Sequence, residues 1–199
     1  MKLRFHGWMS PGLTFLLAIF CVFGAHAQNE TFTISPQQSL IAFTLGDVLH
    51  TVHGTFHLQS GSVEFDRSSG LISGEILVAT GSGNSGNTIR DNRMSKDILD
   101  APEFGVASFS PERLQGTIST VGDSNVQVAG TFMLHGISHE LIVPIQIHLD
   151  GLHCIAKAQF LVPYVEWGLK DPSTFVLRVS KEVEIYLVLV GTVSPIAAK

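Results

Sequence analysis

The sequence predicts an all-β protein, and three observations carry that expectation. Nearly everything after residue 30 is written in short runs that alternate apolar and polar residues, the two-residue period of a half-buried strand. Clusters of Gly, Ser, Asp and Asn separate the runs, as hairpin turns require. One phrase, V-x-G-x-F-x-L, is written twice, at residues 52–58 and 128–134, as in a sheet that solves the same local problem twice.

The segment before the strands has its own signature. Lys2 and Arg4 precede an apolar run at residues 13–24 and the small-residue triplet A-H-A at 25–27. A basic start, a greasy middle and small residues before a cleavage point make a secretory signal peptide. The apolar run is shorter than the ~20 residues a spanning helix needs. Residues 1–27 are therefore expected to be a cleaved signal and residues 28–199 one exported domain, periplasmic or secreted, with no membrane span. The chain carries 12 Lys and Arg against 17 Asp and Glu. Losing Lys2 and Arg4 makes the balance more negative, which argues against nucleic acid or an anionic membrane as partner. Beyond the signal, Cys154 is the single cysteine, so no internal disulfide is expected. Its apolar neighbours mark it as a small core residue.

The elements follow in order. Ile34 closes a first strand, residues 35–39 turn, and 40–45 form the next. Residues 51–58 alternate, with Val52, Gly54, Phe56 and Leu58 on one face and His53, Thr55 and His57 on the other. Q-S-G at 59–61 reads as a turn before the strand 62–66, and R-S-S-G leads to the strand 71–80. Residues 81–87, G-S-G-N-S-G-N, read as a flexible loop. The polar stretch 88–101 lacks two-residue alternation; Thr88 and Asp91 resemble a capping pair, and Pro102 stops the chain. One or two short helices are expected there, crossing the outside or one mouth of the sheet. Strands return near 106, 125–134, 139–149, 153–162 and 181–191, with an irregular piece at 167–174. Leu141, Val143, Ile145, Ile147 and Leu149 make one apolar row, and Val183, Ile185, Leu187 and Leu189 another. About eight strands with one apolar face either pack as two sheets or close into a barrel, and closure removes the exposed edges. Glycines inside strands (Gly54, Gly74 and Gly130) suit the bends a barrel needs.

An ordered set of motifs then stands out: S-x-I-x-F at Ser39, Ile41 and Phe43; V-x-G-x-F at 52–56; G-x-V-x-F-D at 61–66; T-I-R-D-N-R-M at 88–94; S-F-S at 108–110; V-x-G-x-F-x-L-H-G-I-S-H-E at 128–140; and W-G-L at 167–169. Over residues 30–191 this set resembles the YceI-like family. The resemblance implies an extended eight-stranded antiparallel β-barrel of lipocalin type with a pore for a polyisoprenoid chain, and no enzymatic activity. The chain departs from the family pattern at Met94, in place of the usual leucine, at E-F-G-V-A-S-F, and at Val165, where an arginine is common.

The inward faces then name the candidate lipid-binding residues: Phe43, Phe56, Phe65, Ile76, Phe109, Phe132, Leu134, Val143, Ile145, Phe160 and Leu187. Arg90 and Arg93 are candidates for a headgroup at the mouth, the alternative being that they anchor the crossing segment with Asp91. Burying one CH₂ yields about 0.8 kcal/mol, and association costs about 4–15 kcal/mol. A five-carbon tail would hardly bind, whereas one of twenty or more carbons needs no strong polar contact. The expected partner is a long-chain isoprenoid or quinone-like lipid, with no cofactor; the sequence leaves a homodimer open.

Rival readings are a ligand-free interaction barrel and a metal or redox protein. His53 and His57 stand about 13 Å apart along a strand, too far to share a metal. His135 and His139 flank G-I-S, and with Glu140 they could hold zinc or copper; the other reading is solvated turn residues. G-S-G-N-S-G contains a G-x-S-x-G-like string, but without the strand–turn–helix setting of a hydrolase nucleophile.

Overall fold

The computed structural model describes residues 29–47, 50–175 and 178–196; the expected signal segment, 1–27, lies outside them. Nine antiparallel strands run as β1 (Asn29–Ile34), β2 (Leu40–Gly46), β3 (Thr51–Asp66), β4 (Ile72–Asn84), β5 (Val106–Gln115), β6 (Gly122–Leu134), β7 (Ile137–Asp150), β8 (His153–Val162) and β9 (Val183–Pro195). The order β1-β3-β2-β9-β8-β7-β6-β5-β4 closes through pairing of β3 with β4. β1 and β2 share one place between β3 and β9. Asn29 pairs with Asp66 and Glu30 with Pro195, while Ile41 pairs with Phe56 and Leu187. They are two halves of one strand broken at residues 35–39. Nine strands thus occupy eight positions, an eight-stranded antiparallel barrel of the lipocalin-like type.

Two strands run longer than the sequence suggests. Q-S-G at 59–61 is not a turn, because β3 continues through it as a bulge; the register against β4 shifts between Leu58 and Ser60. The extra residue flips the pleat, so Phe56 and Leu58 face inward before it and Val63 and Phe65 after it. Nor is G-S-G-N a flexible loop, since β4 runs to Asn84, which pairs with Thr55. The Ser82 hydroxyl accepts the His57 N–H at 2.8 Å and donates to the Ala79 carbonyl at 2.6 Å.

The repeated phrase has a steric explanation. Gly54 pairs with Phe43, whose ring lies where a Gly54 side chain would stand. Gly130 likewise lies under Phe109 and against the backbone of Ser110 and Pro111. Each glycine lets a phenylalanine from the next strand lie flat across the interior wall.

The barrel interior has two halves. Toward the turns after β3, β5 and β7 it is filled by Phe32, Ile34, Val63, Phe65, Leu114, Ile118, Leu149, Cys154 and Val193. Cys154 is buried there, and burial pushes its thiol up to about 11, which leaves it protonated and inert. Arg67 ties this closed end. Its guanidinium donates through Nε and Nη2 to the Glu30 carboxylate and through Nη1 to the Ile118 and Ser119 carbonyls. An Arg67→Met change leaves a half-buried carboxylate and two carbonyls unpaired, and is expected to lower stability by about 2–4 kcal/mol in urea unfolding. Lysine at this position recovers little, because a point charge cannot fork to all four acceptors.

Candidate functional site

The other half of the barrel is open space. A cavity of about 720 Å³ begins above the filled end and opens at the end where β2, β4, β6 and β8 finish. Every strand position contributes inward side chains, among them Ile41 and Phe43 on β2, Phe56 on β3, Ile76 and Val78 on β4, and Phe109 on β5. Phe132 and Leu134 (β6), Val143 and Ile145 (β7), Ala156, Ala158 and Phe160 (β8), and Ile185, Leu187 and Leu189 (β9) complete the wall. The surface is apolar down to its floor.

Ten of the eleven residues singled out from the inward faces line this cavity: Phe43, Phe56, Ile76, Phe109, Phe132, Leu134, Val143, Ile145, Phe160 and Leu187. Phe65 does not. It pairs with Ile72 at the far end of β3 and is buried in the filled half, beneath the cavity floor. Sequence reasoning missed Ile185 and Leu189, although both share the row of Leu187. It also missed Ala156 and Ala158, because small residues carry no aromatic signal of a wall.

Two segments build the mouth. The first is the β4–β5 connection, where α1 (Thr88–Arg93) is followed by a π-helical turn at Met94–Ile98. The cap is Asn87 and not Thr88. Asn87 is extended (φ −134°, ψ 105°), and its side-chain oxygen accepts the Ile89 and Arg90 N–H groups at 3.1 Å. Asp91 reaches back to accept the Ser85 N–H and hydroxyl. Met94 rests on Gly83, where any side chain would overlap its methyl group. The segment is pinned at its far end as well: the buried Thr80 hydroxyl donates to the Phe104 carbonyl at 2.6 Å. Ile89, Met94, Ile98 and Leu99 thus become part of the cavity wall.

The arginines are anchored differently from the expected Arg90–Asp91–Arg93 network. Arg90 donates through Nε to the Ser85 hydroxyl at 2.7 Å and through Nη2 to its carbonyl at 2.9 Å. Arg93 meets Asp97 at 4.0 Å on an exposed face. Both border the cavity mouth. The G-x-S-x-G-like string does stand between a strand and a helix, contrary to expectation. The Ser85 hydroxyl, however, is held by Asp91 and Arg90 and meets no histidine among its hydrogen-bond partners.

The second segment is the β8–β9 connection. Leu169 is buried, and Lys170, Asp171, Pro172 and Ser173 face the mouth. The Tyr164 hydroxyl donates to the Ser180 carbonyl at 2.6 Å and ties the start of this strap to its end. Burial, helped by the Asp171 charge, pushes the Tyr164 phenol up to about 12. A raised pKa contributes stability that is complete below the ordinary phenol value of 10 and is lost as pH climbs toward 12. Urea midpoints of the native chain are therefore expected to fall in that window, and Tyr164→Phe to flatten the fall while costing about 1 kcal/mol at neutral pH. Asp171 is held below the usual carboxylate range by hydrogen bonds from Ser173.

The histidine pair is not a shared site. β6 and β7 join through the two-residue turn His135–Gly136, both residues at positive φ (53° and 73°), so G-I-S is not the turn. His135 packs on Phe104, with ring centroids 4.4 Å apart. His139 is a strand residue paired with Phe132 and stacked on Trp167 at 4.1 Å and 6°. It is half-buried, not solvated. No group of three or more His, Cys, Asp or Glu side chains could hold a metal ion among the described residues.

The architecture and its cavity can be set against known proteins. The YceI-like domain model matches residues 32–190. The chain belongs to the YceI-like family. BcnA of Burkholderia cenocepacia superposes on this YceI-like protein with a TM-score of 0.66 at 19% identity, covering 80% of this chain and 99% of BcnA. A polyisoprenoid-binding domain from Saccharophagus degradans, implicated in plant cell wall breakdown, gives 0.59 at 16% identity over 82% of this chain and 98% of its own. The YceI protein of Campylobacter jejuni gives 0.55 at 16% identity, covering 67% and 80%. At these identities the likeness shows the fold alone. No curated protein matches the chain. Among the described residues no helix is long and apolar enough to cross a membrane.

Proposed function

We propose that this YceI-like protein is an exported carrier that holds a long isoprenoid or quinone-like lipid in its barrel, without covalent chemistry. The observation that carries this reading is the one-ended apolar cavity of about 720 Å³. At about 30 Å³ for each small group, it has room for roughly two dozen carbons. That is the length at which 0.8 kcal/mol for each buried CH₂ comfortably exceeds an association cost of about 4–15 kcal/mol. The S. degradans neighbour's description as a polyisoprenoid-binding domain supports the same ligand class. Arg90 and Arg93 stand where a headgroup would emerge. The filled lower half favours a tail that enters head-last and stops at the floor, not one that threads through. A barrel packed solid, the premise of the interaction-protein reading, does not describe the upper half. Export rests on the expected signal at residues 1–27.

Native mass spectrometry of the purified chain tests the proposal. The expected spectrum shows a bound mass that organic extraction releases as an isoprenoid or quinone. Protein without ligand, which also fails to take up a fluorescent prenol, would overturn the carrier reading. The same spectrum reads whether the protein is one copy or two, and an N-terminus at Gln28 would mark cleavage of the signal.

A further inference from the structure

We infer that the open end of the barrel docks on the headgroup layer of a zwitterionic phospholipid bilayer, with Phe175 and Ile89 as its inserted side chains. This rests on the reading of the cavity as a lipid site. Phe175, on the β8–β9 strap, is 96% exposed, and Ile89, on α1, is 75% exposed. Large apolar side chains left in water around an opening mark an interaction surface. Both stand at the rim. Ile89 is itself part of the cavity wall and carries apolar surface from the outside of the molecule into its interior, and Phe175 directly follows Thr174, which borders the same cavity. Exposed Leu71, Val121 and Leu152 stand at the closed end, each on a separate turn, and the cavity does not reach them.

The charge around the mouth identifies the kind of surface. Arg90, Arg93 and Lys170 border the opening together with Asp47, Asp97 and Asp171. Among the residues that border the opening, cations and carboxylates are matched three to three, so these residues give no bias toward an anionic surface, and the chain as a whole is negative at −5. Interleaved charges of both signs complement a layer that presents both phosphate and ammonium groups. Docking also removes a kinetic obstacle. Each CH₂ that crosses water slows escape from a bilayer by about fourfold, so a twenty-carbon tail needs a route that stays apolar.

The test follows transfer of a dansyl-tagged C20 prenol from phosphatidylcholine vesicles to the purified protein. Transfer through collision is expected to accelerate in proportion to vesicle concentration. Phe175→Ser is expected to slow it about tenfold and to abolish co-flotation with vesicles, while uptake of the probe injected directly into solution stays within twofold. Phe175→Trp is expected to restore the rate. A rate independent of vesicle concentration, or an unchanged rate in Phe175→Ser, would overturn docking. So would transfer that requires phosphatidylglycerol in the vesicles, or absent flotation with Phe175→Ser shifting a monomer–dimer equilibrium. Failure of the native protein to take up injected probe overturns the cavity reading instead, and flotation then still reads docking by itself.

Discussion

Gly130→Ala is expected to be among the most damaging single-methyl changes in this chain. A Cβ at Gly130 would overlap the Ser110 carbonyl oxygen and lie 2.9 Å from both the Phe109 ring and the Pro111 Cα. Two of these three neighbours are backbone atoms of β5, paired to β6 at this point, and Pro111 has little freedom to retreat. Overpacking of this kind costs about 3 kcal/mol or more, a large share of the 5–15 kcal/mol that holds a domain together. In thermal unfolding that corresponds to a Tm lower by roughly 10 °C. Gly54→Ala offers the control. Its main obstruction is the Phe43 ring, a side chain, although the Asn84 carbonyl lies at 2.7 Å. Phe43→Leu is therefore expected to recover much of the loss at Gly54, whereas Phe109→Leu recovers little at Gly130. Equal rescue at both sites would show that the two copies of the phrase do not differ as the structure indicates.

That contrast locates what the sequence could express about this fold. V-x-G-x-F-x-L named a recurrent strand with a glycine on its inward face, but not the reason for the glycine. The reason is a ring from the neighbouring strand, and which strand is the neighbour is set by long-range closure. The same limit explains β3. A bulge at Gln59 and a turn at Q-S-G are written alike, because both need a residue that leaves the ladder, and only pairing with β4 distinguishes them. Parity carried across that bulge would have failed, but reading Q-S-G as a turn set the parity of each side separately, so Phe56 and Phe65 were both assigned inward. Parity could not show that one faces a cavity and the other the filled end, since a wall and a core use the same residues. The Arg67 tie that closes the floor was equally silent: a lone arginine in a turn carries no sign that it reaches Glu30 and two carbonyls.

The mouth was legible as a departure from pattern. Residues 88–101 broke the two-residue alternation, and the chain there does leave the sheet to cover the opening. The capping residue was displaced by one because Asn87 and Thr88 are both good caps, and the extended backbone of Asn87 decides between them. His139 shows the opposite failure. A histidine read as flanking a turn looks solvated, yet its alternation with Leu141 and Val143 turns it inward against Trp167.

Shortening the cavity from its floor is expected to separate ligand binding from folding. Ala156 on β8 lines the cavity, pairs with Ile147 and Leu189, and packs against the filled half of the interior. Phenylalanine at this position would project into open space and not into packed atoms. It displaces roughly 180 Å³ of the cavity, at about 30 Å³ for each of its six added carbons. Apolar surface is buried where a void stood, so Ala156→Phe is expected to leave Tm unchanged or raise it by a few degrees. The same ring removes space for about six carbons of tail, worth up to about 5 kcal/mol of contact at 0.8 kcal/mol each. A C20 prenol is then expected to bind about a thousandfold more weakly, while a C10 prenol, which never reaches the floor, changes by less than threefold. Fluorescence titration of both prenols against both proteins measures this. Equal losses for the two lengths would mean that tails do not run to the floor. A lower Tm would mean that the space beside Ala156 is already occupied by the protein's own side chains, and the carrier reading would fail with it.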